Sequence, residues 1–115
     1  MAEYLVLIYE DESAMGDTAP AEFGKMMDGH RAFGQKHAAS LRGGNALQPA
    51  GTATTIRGDG VGGFTITDGA FAETKEALGG YYLLEAADLD EAIAMAKEIP
   101  AAFGGVEVRP IRPLD

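Results

Sequence analysis

The sequence predicts an α+β domain in which two helices cover one face of an antiparallel sheet, in the order strand, helix, strand, inserted hairpin, strand, helix, strand. Three observations predict it. The 115 residues are 46% hydrophobic and 23% charged, the ordinary composition of one globular domain spanning residues 1–115. Short β-branched and aromatic runs alternate apolar residues with a period of two, whereas two longer segments carry the period of a helix. Gly, Asp and Pro punctuate the boundaries, and no repeat or linker divides the chain.

The first run, Glu3 to Glu10 (EYLVLIYE), is bounded by acids and rich in β-formers. Leu5, Leu7 and Tyr9 fall on one face and Tyr4, Val6 and Ile8 on the other, so it reads as a central strand buried on both sides. The stretch Asp11 to Pro20 is polar and turn-rich, and Asp17 or Thr18 is placed to cap a helix with Pro20 and Glu22 in its first turn. That helix is predicted from about Ala19 to Leu41. On a wheel of 100° per residue, Phe23, Met26, Met27, His30, Phe33, His37 and Leu41 share a stripe of about 120°, so both histidines lie on the apolar face. Gly24, Gly29 and Gly34 each cost an isolated helix about 0.8–1 kcal/mol relative to Ala. Close approach of a neighbouring backbone is one reason to keep them.

Gly43-Gly44 reads as the stop of that helix, with a short strand at Ala46 to Pro49. Ala53 to Arg57 and Gly63 to Thr67 flank the Gly-rich Gly58 to Gly62 and read as a hairpin, closed by the turn signal Asp68-Gly69. Phe71 to Leu78 is compatible with a helical turn, and Tyr81 to Ala87 with a strand after Gly79-Gly80. Asp88 and Glu91 form a capping box for a helix reaching about Ile99, which Pro100 ends. Val106 to Ile111 alternates as the last strand, at an edge because Pro110 has no N–H to donate. Without the hairpin the order is the βαββαβ of a ferredoxin-like domain. The sheet face opposite the helices then lacks a cover, and a second copy supplies one in a homodimer.

Charge and composition exclude several functions. Nine Lys and Arg against 18 Asp and Glu leave a net charge of −9, which repels nucleic acid and anionic membranes. There is no apolar run of membrane-spanning length, and the start lacks a signal-peptide pattern, so a cytoplasmic protein is expected. The chain has no Cys, which removes thiolate chemistry. Gly58 to Gly63 matches G-x-G-x-x-G, but a strand follows it rather than the helix whose N-terminus would hold a pyrophosphate. His30 and His37 stand seven residues apart, about 10.5 Å along a helix, which does not make a metal pair. Neither a metal nor a cofactor is expected.

His30, mid-helix and directed at the sheet, is the candidate for proton transfer, since imidazole titrates near neutral pH. The ordinary alternative is a core histidine holding one hydrogen bond. Asp68, Glu73 and Lys75 gather ionisable groups at turn residues, where binding chemistry concentrates. Asp68 is the candidate acid–base partner of His30; Glu73, Lys75, Arg57 and Tyr81 are candidate ligand contacts. Arg57, Arg109 and Arg112 could serve a small carboxylate. The same residues also suit a solvated turn and surface ion pairs.

The run Thr67-Asp68-Gly69-Ala70-Phe71-Ala72-Glu73-Thr74-Lys75-Glu76 resembles the YCII-related family, in particular its DGPF branch. The likeness extends to Tyr4 to Tyr9, Leu47-Gln48-Pro49, Ala53 to Arg57, Gly79 to Glu85, Asp88 to Ala92 and Val106 to Pro110. Ala70 replaces the proline that gives the branch its name. The resemblance implies a ferredoxin-like fold, association as a dimeric α/β barrel, and kinship in fold with small ring-opening isomerases and cofactor-free monooxygenases. It implies no particular activity. In shorter relatives a His–Asp dyad has been proposed as a catalytic centre; His30 matches the helix histidine, but the aspartate position falls at Ile99, so Asp68 would have to take over. The branch also resembles proteins encoded beside extracytoplasmic-function sigma factors. Two functions follow: a small bacterial homodimer binding a small molecule, a carboxylate among the candidates, or a non-catalytic module docking on a sigma factor.

Overall fold

The computed structural model describes residues 1–114. Strand β1 (Ala2–Glu10) lies between β5 (Ala77–Ala86) and β6 (Gly104–Pro110), and β2 (Leu41–Ala46) pairs with the far side of β5. All three pairings are antiparallel, giving the order β2-β5-β1-β6 of a ferredoxin-like sheet. Helices α1 (Glu12–Gly16), α2 (Pro20–Lys36) and α3 (Leu89–Ala96) complete the mixed α+β architecture. A 3₁₀ turn at Ala50–Thr52 leads into β3 (Thr54–Gly58) and β4 (Phe64–Asp68), a separate two-stranded antiparallel sheet. No helix among the described residues is long and apolar enough to cross a membrane.

Alternation decides what β1 buries. Tyr4, Val6 and Ile8 face the helices and are buried with Leu84 and Ala86 of β5, Phe33 of α2, and Ala92, Met95 and Ala96 of α3. The opposite face, with Leu5, Leu7, Tyr9 and Leu83, is only half-buried, so β1 is central in the sheet but covered on one side. Helix α3 starts as its capping box predicts. Asp88 Oδ1 accepts from the Glu91 N–H at 2.9 Å, and Glu91 reaches back to the Ala87 N–H at 3.1 Å. It ends at Ala96 rather than Ile99.

Other boundaries differ from expectation for physical reasons. Helix α2 stops at Lys36, where the His37 to Leu41 turn closes with the Ser40 and Leu41 N–H groups on the His37 carbonyl. Gly43 and Gly44 are not a helix stop but lie inside β2. A Cβ on Gly44 would stand 2.8 Å from both the Tyr81 carbonyl oxygen and Tyr82 Cδ1, so the strand needs glycine to approach β5. Gly29 has a similar origin, with Pro100 Cγ 2.7 Å from where its Cβ would be, whereas Gly24 meets nothing. The N-cap of α2 is Ala19, without a side-chain bond, and Pro20 opens the helix. Asp11 instead caps α1, accepting from the Ser13 and Ala14 N–H groups. The expected helical turn at Phe71 to Leu78 is absent. Ala77 and Leu78 already pair with Glu10 and Tyr9 as the start of β5, and ladder formation there outweighs a weak helical preference.

Candidate functional site

Sequence and packing together open a cleft of about 600 Å³ where α2 lies over the ends of β1, β2 and β5. Phe23, Met26, Met27 and His30 project from α2 at helical spacing, which places them along one wall. Ile8, Glu10 and Tyr82 form the floor on the helix-facing register of the sheet. Helix α1 and the 3₁₀ turn frame the mouth, joined by Glu12 Oε2 accepting from the Ala50 N–H at 2.8 Å. The lining is mostly apolar with a few polar groups, the usual composition of a small-molecule site.

His30 Nδ1 lies 2.8 Å from the Tyr82 hydroxyl. Burial pushes the His30 pKa below its ordinary value and raises that of Tyr82, so both are neutral near pH 7. Two hydrogen-bonded tautomers are therefore available. If the Tyr82 O–H donates to Nδ1, Nε2 carries the proton and is an acid; if Nδ1–H donates to the Tyr82 oxygen, Nε2 is a base. Phe33 packs against Tyr82 with ring centroids 4.9 Å apart and holds the tyrosine from behind. Glu10 is 7% exposed, and its Oε2 is buried without a hydrogen-bond partner among the described residues. Burial raises its pKa, against the lowering effect of a hydrogen bond from the Phe103 backbone. Both shifts have one leading cause, the loss of water around the two groups.

The lowered His30 pKa has a directly measurable consequence. In an NMR titration of the two histidines, the His30 ring is expected to protonate below pH 6.5, and Tyr82→Ala, by admitting water, to move it up towards that ordinary value. A His30 midpoint at or above 6.5 in the unaltered protein contradicts the packing described. The sign for stability is equally definite. With the folded pKa below the unfolded one, the contribution of His30 is present above about pH 6.5 and is lost as the pH falls through the folded value.

Of the expected site residues, His30 lines the cleft; Tyr81 borders it along β5 but stands in the register of Leu7, on the sheet face away from α2, and the others lie outside it. Asp68 is exposed at the end of β4, paired with Thr54 in the separate sheet. The turn after it is tied down by Gly69 N–H on the Ala53 carbonyl and by Thr55 Oγ1 on the Gly69 carbonyl, both 2.7 Å. Arg57 donates to the Phe71 carbonyl at 3.1 Å and covers the Phe71 ring, its Cζ 3.9 Å from the centroid. Arg57 thus fastens the Asp68 to Phe71 turn to β3. Glu73 and Lys75 are exposed in the following bend. His37 caps α2 and places Nε2 2.9 Å from Glu98 Oε2, a carboxylate that also receives Lys36. Glu10 and Tyr82 join the cleft without being among the residues the sequence points to. For Glu10 the signal lies in the sequence, since it continues the buried register Tyr4, Val6, Ile8, where an acid is out of place.

A sequence profile of the YCII-related domain matches residues 2–115, from the first residue of β1 through β6 and beyond. An uncharacterised protein of Rhizobium meliloti (strain 1021) is 37% identical over 113 residues, covering 94% of this chain and 90% of that protein. A match across every strand and helix that builds the cleft leaves one assignment: the chain belongs to the YCII-related family.

Proposed function

We propose that this protein binds a small organic molecule in the cleft between α2 and the sheet, with His30 transferring a proton at Nε2. The observation that carries this reading is the neutral His30–Tyr82 pair on the wall of an apolar cleft. Tyr82 orients the imidazole, the part first expected of Asp68. A placed imidazole contributes about 10²–10⁴ in rate to a proton transfer. Exposed Phe23 and Met27 at the rim are apolar surface that a ligand would cover. A library of aromatic fragments tests the reading through the His30 ring and the Met15, Met26 and Met27 methyl signals. Bound fragments are expected to shift these four residues together, and fragments that bind while leaving all four unmoved place the site elsewhere.

The same protein is read as a homodimer of the α/β-barrel type, its β3–β4 hairpin an insertion. Three features support this. Leu5, Leu7, Tyr9, Tyr81 and Leu83 form an apolar stripe on the uncovered sheet face, edged by Glu3, Glu85, Glu107 and Arg109. Ile56, Phe64 and Ile66 are 61%, 71% and 67% exposed on one side of the hairpin. The radius of gyration is 16.1 Å, against about 13 Å for a compact domain of this length, as suits a chain whose hairpin packs on another molecule. Docking on a sigma factor, the other function the DGPF-type motif suggests, is supported by the acidic charge alone.

A further inference from the structure

We propose that the ligand of this cleft is an apolar, preferably aromatic, molecule carrying a protonated amine, with the ammonium seated on Glu10. The inference rests on the small-molecule reading above and narrows it to one chemical class. Glu10 borders the cleft and is 7% exposed, and its Oε2 is buried beside the cleft with no donor among the described residues. An unpaired buried carboxylate oxygen is costly, and a ligand that brings a charged donor removes the cost while making a short, strong hydrogen bond.

The rest of the lining agrees in sign and shape. It contains a second carboxylate, Glu12 at the mouth, and no Lys or Arg, so nothing there neutralises an anionic ligand. The carboxylated ligand suggested by Arg57, Arg109 and Arg112 therefore has no cationic partner in the cleft, since none of the three arginines lines it. Met15, Phe23, Met26 and Met27 offer an adaptable apolar wall for the body of the molecule. The Tyr82 ring, on the helix side of the sheet, adds a negative π-face that favours a cation over an anion. At long range the net charge of −9 draws cations towards the mouth. His30 Nε2, on the same cleft wall, is the base or acid that a bound amine or a group beside it would meet.

Three probes of similar size separate the possibilities: 2-phenylethylamine, 2-phenylethanol and 3-phenylpropionate, titrated calorimetrically at neutral pH into the protein and into Glu10→Gln. The amine is expected to bind at least about tenfold more tightly than the propionate, the size of one charge-assisted hydrogen bond. Glu10→Gln is expected to abolish that preference, and an unchanged far-ultraviolet circular dichroism spectrum certifies the fold of the variant. Equal or tighter binding of the propionate overturns the inference, as does an amine affinity unaffected by Glu10→Gln. If the alcohol binds and the amine gains nothing, the cleft reading stands and the amine inference alone falls. If none of the three binds and the His30 ring signal moves with none of them, the cleft reading falls and takes the inference with it.

Discussion

Phe33→Ala is expected to remove about 3–5 kcal/mol of stability, a large part of the roughly 5–15 kcal/mol that holds a domain of this size folded. Phe33 is 2% exposed and is the one fully buried side chain of α2. Its ring meets His37 at 5.0 Å and Tyr82 at 4.9 Å between centroids, so it joins the helix to β5. Helix α2 carries three glycines and starts without a side-chain cap, which leaves it dependent on this contact. Urea denaturation checks the value, with the midpoint falling at nearly constant slope. Phe23→Ala is the internal comparison, because Phe23 is 45% exposed at the rim of the cleft and costs little when shortened. A loss below about 1 kcal/mol for Phe33→Ala means that α2 is not docked as described. The same substitution strips the support from Tyr82, so the His30 titration is expected to move towards its ordinary value in the variant that still folds.

The elements that the sequence made legible are those whose signal is local. The alternation of Tyr4 to Tyr9, the Asp88–Glu91 cap and the edge position implied by Pro110 depend on neighbours a few residues away, and each reappears in the structure. Gly43-Gly44 reads as a helix stop in the sequence because glycine has two physical causes with one appearance. It stops helices, but here it lets β2 approach β5, and that partner is nearly 40 residues distant in the chain. The start of β5 was hidden for the same reason, since Ala77 and Leu78 become strand only by pairing with Glu10 and Tyr9. In the site, His30 stood out by its chemistry and position on the stripe. Tyr82 required knowledge of which strand α2 covers. Glu10 required the register argument to be carried one residue past the apolar run, where an acid looked like a boundary and is instead a buried group.

Leu83→Arg is expected to convert a dimer of about twice 12.0 kDa into a 12.0 kDa monomer, as read by light scattering at micromolar concentration. Leu83 sits opposite Leu5 in the β1–β5 ladder, at the centre of the uncovered face and away from the helices. In a single chain its side chain is half-buried and an arginine can extend to water, so the monomer keeps its fold. In a symmetric interface each copy would place an unpaired cation against the other's apolar stripe, costing about 3–5 kcal/mol, or about 10²–10⁴ in affinity. A micromolar dimer is thereby carried to between about 0.1 and 10 mM. Leu84→Arg, one residue on, is the contrast: Leu84 is fully buried on the helix side, so the charge unfolds the chain rather than separating two copies. If Leu83→Arg leaves the mass unchanged at the dimer value, association uses another surface, with the exposed Ile56, Phe64 and Ile66 side of the hairpin next in line. If the unaltered protein already measures 12.0 kDa, the open face is solvated and the dimer reading falls, while the cleft between α2 and the sheet, built within one chain, is untouched.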